Sequence, residues 1–503
     1  MRKIGLSFVF TFLFILVSAY AYADKVYNTD VVVIGAGAGG MTAGVAALEK
    51  GMKVIILEKM PGIGGSGNYM EGTFAVGSDM QIRENIGINP EKQFKTVMNF
   101  HHWRIDPDVL NAWLKQTPYT IRWLEQHGIH FEKVTTAFID GNRTWHMFEG
   151  GHGSSLIKAF AQQIKDNGGT ILTETPAKQL IIKNGTVVGV IAENADGEKV
   201  TVNAKAVIVA TGGFPCNKEM IKKYLPYAGY QYAGAAGREG DGIRMMEAAG
   251  AKLVNMNVVM QAGLWLQGVS TDQQFHRGAK YVKMIAALNQ PYLFTSLQGN
   301  RVVDETQSLE YISNAFEGVG GEGFAVFDEN TKKLWENTGL IRGYFGVVER
   351  MEKIENFDSM LADGIKQGWA FKANSLNELA KMTGMDPEVL KATAANMNKM
   401  TEAKYDSQFY KDPKWLRAVD KAPYYALKGS LRMYSTTGGA KVNSNFQVIN
   451  TNGKAIPGLF AIGQDAGGLY SDSYDMHIAE GTASSWAING GRLSISYIAD
   501  NYK

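Results

Sequence analysis

The sequence predicts an α/β fold in which one unit is interrupted by the insertion of a second. Three observations predict it: a strand, glycine turn, helix and strand in succession within residues 30–58, two later apolar strands that each end in glycine, and a change of composition between residues 256 and 423. The chain has 503 residues, 45% hydrophobic and 20% charged, which suffices for two or three structural units. Its net charge is only +2 and no dense Lys/Arg block is interleaved with aromatics, so a nucleic-acid partner has no support.

The first run reads DVVVIGAGAGGMTAGVAALEKGMKVIILE and contains the spacing Gly-x-Gly-x-x-Gly. Gly35 allows a sharp turn off the strand, Gly37 allows a pyrophosphate to approach the helix N-terminus, and Gly40 allows the helix to pack closely on the strands. The helix dipole favours an anion at this end. Glu58 closes the second strand, where its carboxylate can accept hydrogen bonds from ribose hydroxyls, and an acid there argues against a 2′-phosphate. The run therefore predicts a Rossmann-like dinucleotide site.

Later segments repeat the pattern of an apolar strand followed by glycine. Residues 62–67 hold too many glycines for a regular element and are predicted to form a loop shaped around a ligand. Short β-rich runs separated by turn signals fill residues 170–209, and the last of them ends in Thr-Gly-Gly at 211–213. A short apolar strand within residues 456–465 ends in Gly-x-Asp. Two strand ends of this kind from distant parts of the chain predict one ligand contacted by both.

The composition changes in the middle of the chain. From about residue 256 to 423, helical, aromatic and charged segments replace the glycine-terminated strands, and the earlier pattern then returns. We therefore divide the mature chain into a discontinuous first domain, residues 24–255 and 431–503, and an inserted domain, residues 256–430.

The N-terminus has the features of an export signal. Arg2 and Lys3 precede an apolar run over residues 6–17, and small residues stand at Ala21 and Ala23. Residues 1–23 are therefore predicted to be a Sec-type signal peptide cleaved after Ala23, which would make the protein periplasmic or secreted, with no stable membrane anchor after cleavage. An uncleaved anchor is the alternative, although the apolar run is shorter than the roughly 20 residues that span a bilayer.

Cys216 is the single cysteine. One cysteine excludes an intrachain disulfide, a c-type haem attached through C-x-x-C-H, and a cysteine-ligated iron–sulfur cluster. The histidines His101, His102, His146 and His152 show no metal-ligand spacing with nearby acids, so we predict no metal site and interpret them as structural.

With these pieces in order, the chain resembles the fumarate reductase and succinate dehydrogenase flavoprotein superfamily, in particular its soluble flavocytochrome c and urocanate reductase branch. The matching motifs are VVVIGAGAGG, GIGGSG, VATGGF, GDGIRMMEAAGA, LFTSLQGNRVVDE, STTGG and IPGLFAIGQDAGG. The resemblance covers nearly all of the mature chain. It implies a Rossmann-like, discontinuous FAD-binding domain with an inserted α+β capping domain that closes over the substrate.

The resemblance also implies which residues hold FAD. Glu58 and the glycines of the first turn would hold the ADP half, Asp465 would bind the ribityl chain, and Ala177 would lie near the adenine. The family's succinate dehydrogenases attach FAD through a histidine after the Gly-Gly pair, but this chain has Ser66 there, so we predict noncovalent FAD. The full predicted set is Gly35, Gly37, Gly39, Gly40, Glu58, Lys59, Gly64, Gly65, Ser66, Gly72, Ala177, Thr211, Gly212, Gly213, Gly463, Asp465, Thr482 and Ala483.

The residues that family fumarate reductases use on their substrate are mostly replaced. Those enzymes protonate fumarate with an arginine and clamp its carboxylates with histidines and a second arginine, whose planar fork suits a carboxylate. At the matching positions this chain has Leu309, Ala262 and Ser435, and the closing H-G-x-N-R-L-G-G segment is replaced by residues 470–477. These departures argue against fumarate as the substrate and favour a neutral or larger one, such as an enone or an aryl-acrylate.

The replacements supply their own candidates. Tyr434, Tyr470 and Tyr474 are phenols that can donate a proton or bind a carbonyl, or they can be aromatic packing beside a flavin. His477 is a candidate general acid, or a cap for a helix predicted over residues 479–486. Arg432 is the remaining candidate for anchoring a carboxylate.

The sequence therefore predicts an exported FAD-dependent oxidoreductase. It would reduce, or in reverse desaturate, a C–C bond next to a carbonyl in a small-molecule substrate, by hydride transfer at flavin N5 and proton transfer from a side chain. Its electrons would come from an external donor such as a cytochrome or flavoprotein. The alternative is a noncatalytic FAD protein for electron transfer or ligand sensing.

Overall fold

A computed structural model describes residues 24–136, 138, 141–345 and 347–502. The predicted signal peptide lies outside these residues, so its cleavage stays a prediction. Among the described residues no helix is both long enough and apolar enough to cross a membrane.

The described chain forms strands of two to thirteen residues, numbered here in chain order. They are β1 (Lys25–Ile34), β2 (Val54–Leu57), β3 (Gly72–Phe74), β4 (Phe131–Thr135), β5 (Trp145–Phe148), β6 (Thr170–Leu172), β7 (Ala177–Lys183), β8 (Thr186–Glu193), β9 (Lys199–Val209), β10 (Gln231–Tyr232), β11 (Leu253–Val254), β12 (Val259–Leu266), β13 (Leu293–Ser296), β14 (Glu322–Asp328), β15 (Ala370–Ala373), β16 (Tyr424–Thr436), β17 (Gly439–Lys441), β18 (Gln447–Ile449), β19 (Ala455–Ala461) and β20 (Ala466–Gly467).

The α-helices are numbered in the same way, and short 3₁₀ turns lie between them. They are α1 (Ala38–Glu49), α2 (Asp79–Arg83), α3 (Pro90–Phe100), α4 (Pro107–Gln126), α5 (Ser154–Asp166), α6 (Lys218–Tyr224), α7 (Asp241–Ala248), α8 (Thr271–Gln274), α9 (Val282–Leu288), α10 (Leu309–Glu317), α11 (Glu329–Asn337), α12 (Phe357–Gln367), α13 (Leu376–Thr383), α14 (Pro387–Ala403) and α15 (Thr482–Asn501).

The central sheet has eight strands, six of them in the order β18-β19-β9-β1-β2-β6, with β8 and β7 joined to β9. Strand β1 pairs in parallel with both β2 and β9, and β19 pairs in parallel with β9. The apolar residues of β1 over 31–34 are buried because strands flank them and helices cover the sheet. The predicted α/β fold is confirmed. The predicted short runs near residue 200 join into the single strand β9, which pairs with β8 over its first half and with β1 almost throughout.

A second sheet of six strands has the order β10-β16-β14-β13, with β12 and β15 also paired to β16. Most of its strands come from the inserted segment, for which the family resemblance implied an α+β domain. The predicted boundary between residues 430 and 431 falls inside β16, which is continuous across it. The division into domains stays a prediction.

The register of the central sheet brings the glycine turns together. Ile34 at the end of β1 lies opposite Leu57 of β2 and Val209 of β9, and Val209 lies opposite Ala461 of β19. Parallel strands that end in register place the turns that follow them at one edge of the sheet. The residues at this edge, and the end of β16 next to it, form the site.

Candidate active site

The turn between β1 and α1 forms a cradle made of backbone. A Cβ on Gly35 would lie 2.3 Å from the oxygen of Ala210, and one on Gly40 would lie 2.0 Å from the oxygen of Gly35, so both positions exclude any side chain. Gly37 differs, since the nearest heavy atom to its Cβ position is the oxygen of Gly64 at 3.9 Å. Gly37 also caps α1 without a side-chain hydrogen bond. The open space therefore faces the uncapped N–H groups of the helix, where an anion is stabilised.

The glycine loop lies against this helix end. The N–H of Gly64 donates to the oxygen of Ala36 at 2.8 Å, and a Cβ on Gly67 would lie 3.0 Å from the nitrogen of Ala38. Gly65 has a positive φ of 48° and no heavy atom within 4 Å of its Cβ position. The loop thus presents backbone, with almost no side chain, to the same space.

Glu58 is held by backbone groups on both sides. Its carboxylate accepts hydrogen bonds from the N–H of Ala36 at 2.9 Å and of Met60 at 2.8 Å. Its carbonyl accepts from the N–H of Thr175 at 2.8 Å, which places the start of β7, and hence Ala177, beside the end of β2. The predicted Lys59 is engaged elsewhere, since it forms ion pairs with Glu239 and Asp241.

Asp465 joins the two later glycine turns. Its buried carboxylate accepts hydrogen bonds from the hydroxyl of Thr211 at 3.0 Å and from the N–H groups of Gly212 at 2.9 Å and Gly213 at 3.2 Å. Burial raises the pKa of Asp465 above its ordinary value, and these donors work against that rise. The predicted meeting of the two strand ends is observed.

Arg238 is a residue of the site that the sequence analysis missed. Its Nε donates to the oxygen of Gly212 at 2.6 Å, one terminal nitrogen donates to the hydroxyl of Ser66 at 3.0 Å, and the other donates to the hydroxyl of Ser435. Arg238 is buried, so one guanidinium fastens the glycine loop, the turn after β9 and the end of β16 together. Its only sequence signal is an arginine placed directly after Gly237 and ahead of α7.

Other predicted cofactor residues lie in packed backbone. A Cβ on Gly39 would lie 3.0 Å from the oxygen of Ala487, and one on Gly72 would lie 2.3 Å from the oxygen of His146. Gly463 has a positive φ of 60°. Thr482 and Ala483 begin α15, as the first two residues after Gly481, which has a φ of 87°. These glycines are required by packing and backbone geometry.

Tyr434 and Arg432 lie on β16 in a cluster of aromatic rings. The ring of Tyr434 packs 5.5 Å from that of Trp265 and 5.3 Å from that of Phe275, and the guanidinium of Arg432 lies 5.3 Å from the centre of the Trp265 ring. Tyr344 completes the cluster, with its ring 6.0 Å from that of Phe275. Tyr344 lies in an irregular segment with no motif, so no sequence pattern marked it.

Within the described chain, the phenols of this cluster have no hydrogen-bond partner outside the cluster. Among the described residues, the hydroxyls of Tyr344 and Tyr434 are buried and interact with each other, but neither forms a well-aligned hydrogen bond, and Nε of Arg432 is buried without one. Burial raises the pKa of both phenols well above the ordinary value, while the charge of Arg432 lowers both. Arg432 is held by the oxygen of Val269 and, at 3.4 Å, by the hydroxyl of Thr271. A buried polar atom without a partner is rare and indicates a place for a ligand group.

The other predicted candidates form a second cluster. The hydroxyl of Tyr470 donates to that of Thr482 at 2.9 Å, and the hydroxyl of Thr482 donates to the carboxylate of Asp475 at 2.8 Å. Tyr474 is also buried, with its ring 5.2 Å from that of Tyr470. Burial raises the pKa of Tyr470 well above its ordinary value, and it raises that of Tyr474 in the same direction.

Of the two roles considered for His477, the structure does not bear out the cap of a helix over residues 479–486. Helix α15 begins at Thr482 and runs to residue 501, because Gly481 in the left-handed region ends the preceding loop and forms the cap. The backbone N–H of His477 donates instead to the carboxylate of Glu310 at 2.8 Å, and its ring packs 5.3 Å from that of Phe138.

Comparison with known proteins identifies the family of this chain. Residues 30–477, most of its length, match the family described as FAD binding domain. The chain belongs to this family. Among its relatives is the vinyl phenol reductase of Lactiplantibacillus plantarum, 31% identical over 92% of this chain and 95% of the relative. The NADH:acrylate oxidoreductase of Vibrio harveyi is 27% identical over 88% of this chain, which spans about half (48%) of that relative.

The family's solved structures share the fold. The open conformation of a flavocytochrome c3 fumarate reductase superposes with a TM-score of 0.70 over 95% of this chain and 79% of that one, at 22% identity. The predicted resemblance and the prediction of an FAD-dependent oxidoreductase are confirmed. The backbone cradle at Gly37 fits a dinucleotide of the family's kind, because it offers N–H groups and open space where a pyrophosphate requires both.

Proposed function

We propose that this protein is an exported FAD-dependent reductase of a carbon–carbon double bond conjugated with an aromatic ring or a carbonyl group. Two relatives carry names that state alkene substrates, vinyl phenol and acrylate. The relative named for vinyl phenol matches this chain over nearly its whole length. Vinyl phenol has an aromatic ring and no carboxylate, which agrees with a site poor in carboxylate-binding residues.

The observation that carries the proposal is the pair of buried hydroxyls of Tyr344 and Tyr434 beside Arg432, which form no well-aligned hydrogen bond and, within the described residues, have no hydrogen-bond partner outside the cluster. Tyr434 directly precedes Ser435, which is bound by Arg238, and Thr436, whose hydroxyl accepts from the N–H of Phe214 at 3.0 Å. Tyr434 therefore adjoins the turn that follows β9. Two neutral donors within a ring of aromatic side chains suit the oxygen of a phenol or carbonyl on a flat, conjugated substrate.

The positions that differ from fumarate reductases support the same substrate class. Ala262 and Leu309 are buried apolar residues, 0% and 2% exposed, and neither can bind a carboxylate. Ser435 is committed to Arg238. A small dianion such as fumarate would therefore find few groups here to bind its carboxylates. A conjugated ring could still pack against the apolar side chains.

FAD would be held noncovalently by the cradle around Gly37, the loop at Gly64 to Ser66, Glu58 and the turns joined by Asp465. When bound, it would supply the hydride for the double bond. The described residues of the glycine loop contain no histidine for a covalent link. Backbone N–H groups and hydroxyls would therefore donate the hydrogen bonds that hold FAD.

The chain's own residues would bind and protonate the substrate. Tyr344 and Tyr434 would donate hydrogen bonds to its oxygen, and the charge of Arg432 would stabilise negative charge that develops there. Tyr470 is the proposed proton donor, because burial keeps its phenol protonated and Thr482 fixes its hydroxyl.

Export and an external electron donor complete the proposal. Residues 1–23 carry the charge, apolar run and small residues of a cleavable signal. A chain with one cysteine has no means to bind a c-type haem of its own, so a separate cytochrome or flavoprotein would reduce it.

The test is an acceptor screen with the purified FAD-loaded protein. The flavin is reduced chemically without oxygen, and its absorbance is followed after addition of 4-vinylphenol, an aryl-acrylate, an enone or fumarate. We expect rapid reoxidation by a conjugated aromatic or carbonyl acceptor and slow reoxidation by fumarate. Reoxidation by a cytochrome alone, with none of the four organic acceptors active, would contradict the proposal.

A further inference from the structure

A chain of polar groups leads from the surface to the buried Tyr470. It begins at Asp472, whose side chain is 38% exposed and lies 3.3 Å from the exposed His102. The hydroxyl of Ser471 contacts the carboxylate of Asp472 at 2.9 Å and Nδ1 of His101 at 3.3 Å. Ser471 and His101 are both buried, so these contacts carry the chain from solvent into the protein.

The inner half of the chain runs through Asp475. Nε2 of His101 lies 3.8 Å from one carboxylate oxygen of Asp475, whose other oxygen accepts the hydrogen bond from Thr482. Thr482 in turn accepts from Tyr470. His101, Asp475 and Thr482 are each 0% exposed.

The contact between His101 and Asp475 is the one incomplete step. Within the part of the chain that the structure describes, Nε2 of His101 and the facing oxygen of Asp475 have no hydrogen-bond partner. A separation of 3.8 Å is too long for a hydrogen bond. Two buried polar atoms without hydrogen bonds lower the stability of the folded protein. A small movement would bring these two atoms within hydrogen-bond distance.

We infer that His101, Asp475 and Thr482 form a proton relay that resupplies Tyr470 from the solvent at Asp472. The inference rests on the proposed function, because it requires Tyr470 to give a proton to the substrate. Every member of the relay has an atom that can both accept and donate, as a hydroxyl, an imidazole and a carboxyl group can.

Each proton that Tyr470 loses is replaced through the relay. When hydride has been added to one carbon of the alkene, the O–H bond of Tyr470 breaks and a C–H bond forms at the other carbon. The phenolate then takes a proton from Thr482, which takes one from Asp475, and the hydroxyls turn so that each donates toward Tyr470. His101 protonates Asp475 at Nε2 and takes up a proton at Nδ1 from the side of Ser471 and Asp472.

The charged neighbours of the relay keep a proton available. Glu310, on α10, is fully buried near Asp475, and burial raises its pKa to about 7. Tyr474 packs against Tyr470 with its phenol protonated. Glu310 therefore holds a proton beside the relay below about pH 7.

The experiment measures alkene-dependent reoxidation of FAD-loaded protein over many turnovers, with its best alkene acceptor and an excess of chemical reductant, because the relay acts when Tyr470 must regain its proton between turnovers. In Asp475→Asn and His101→Gln we expect this rate to fall about 100-fold, the scale of general acid catalysis. Reoxidation by ferricyanide, which takes electrons and needs no proton at carbon, should be unchanged. Asp475→Glu should recover most of the rate, because it restores the carboxyl group.

Asp328→Asn is the matched control, since Asp328 is a fully buried aspartate outside the relay. It caps α11 at the end of β14 in the six-stranded sheet. It should lower stability and leave alkene reoxidation at the wild-type rate. Wild-type alkene rates in Asp475→Asn and His101→Gln would overturn the relay and leave the proposed function standing. Equal losses with alkene and ferricyanide would also overturn it, in favour of a structural role. A wild-type protein that no alkene reoxidises would overturn the proposed function and the relay together.

Discussion

Asp465 accepts a hydrogen bond from the backbone N–H of Gly212 at 2.9 Å, although 253 positions separate the two residues. The bond ties the turn after β19 to the turn after β9 at the edge of the central sheet. Because the carboxylate is buried and has further donors in Thr211 and Gly213, it organises the backbone on which FAD is expected to lie.

Asp465→Ala should therefore cost both stability and FAD. Removing the carboxylate leaves two buried N–H groups without partners, which we expect to lower the free energy of unfolding by about 2–4 kcal/mol. Chemical denaturation and the ratio of FAD to protein after purification measure the two effects. Asp196→Ala, at an exposed turn, is the control and should change neither. Full FAD content in Asp465→Ala would contradict the assigned role.

Gly37 and Gly40 of the first turn should respond differently to substitution by alanine. Gly40→Ala places a methyl group 2.0 Å from a backbone oxygen, so we expect it to prevent folding or greatly reduce yield. Gly37→Ala meets nothing closer than 3.9 Å and has an ordinary φ of −77°, so the protein should fold normally. The methyl group would occupy the space meant for the pyrophosphate, and FAD content should fall sharply. Circular dichroism and flavin absorbance separate these results, and normal FAD content in Gly37→Ala would exclude the cradle.

Arg238→Lys should weaken FAD binding even though the charge is kept. Lysine cannot donate to Ser66, Gly212 and Ser435 at once, because its ammonium lacks the planar fork of arginine. We expect a loss of about 2 kcal/mol, roughly 30-fold in Kd, measured by titrating FAD-free protein with FAD.

Arg417→Lys is the control for this change, since Arg417 contacts only backbone carbonyls of Lys414 and Leu416 through its hydrogen bonds. It should bind FAD as the wild type does. An unchanged Kd in Arg238→Lys would mean that the three segments keep their positions without the guanidinium.

Local sequence patterns locate the glycine turns of the candidate site, but they do not locate residues whose contacts come from distant parts of the chain. Gly35, Gly37 and Gly40 lie in a local motif in which each position has one physical task, so spacing alone locates them. Arg238 and Tyr344 act through contacts with residues far away in the chain, and no local pattern marks such a role. His101 was interpreted as structural because it has no neighbouring acid in sequence, whereas folding brings Asp475 within 3.8 Å of it.

Glu310 should make stability depend on pH. Burial raises its pKa to about 7 from an ordinary value of 4.5, so the folded state holds this proton more tightly than the unfolded state. The contribution of Glu310 to stability is then complete below about pH 4.5 and is lost as pH rises toward 7, with a slope of at most about 1.4 kcal/mol per unit.

Glu310→Gln removes the titration and keeps an acceptor for the N–H of His477, so its stability should vary less between pH 4.5 and 7. Urea denaturation at several pH values measures this, with the exposed Glu388→Gln as control. Parallel curves for wild type and Glu310→Gln would show that Glu310 is ionised in the folded protein throughout this range.

Tyr434→Phe and Tyr470→Phe should have opposite effects on stability. The hydroxyl of Tyr434 is buried beside that of Tyr344 and forms no well-aligned hydrogen bond, so its removal should raise the free energy of unfolding by about 1 kcal/mol. The hydroxyl of Tyr470 is bonded to Thr482, so its removal should lower that free energy by about 1 kcal/mol. Both variants should nevertheless reduce alkene-dependent reoxidation of the flavin, because one loses a substrate contact and the other the proton donor. A Tyr434→Phe protein that is more stable and equally active would show that this hydroxyl does not bind substrate.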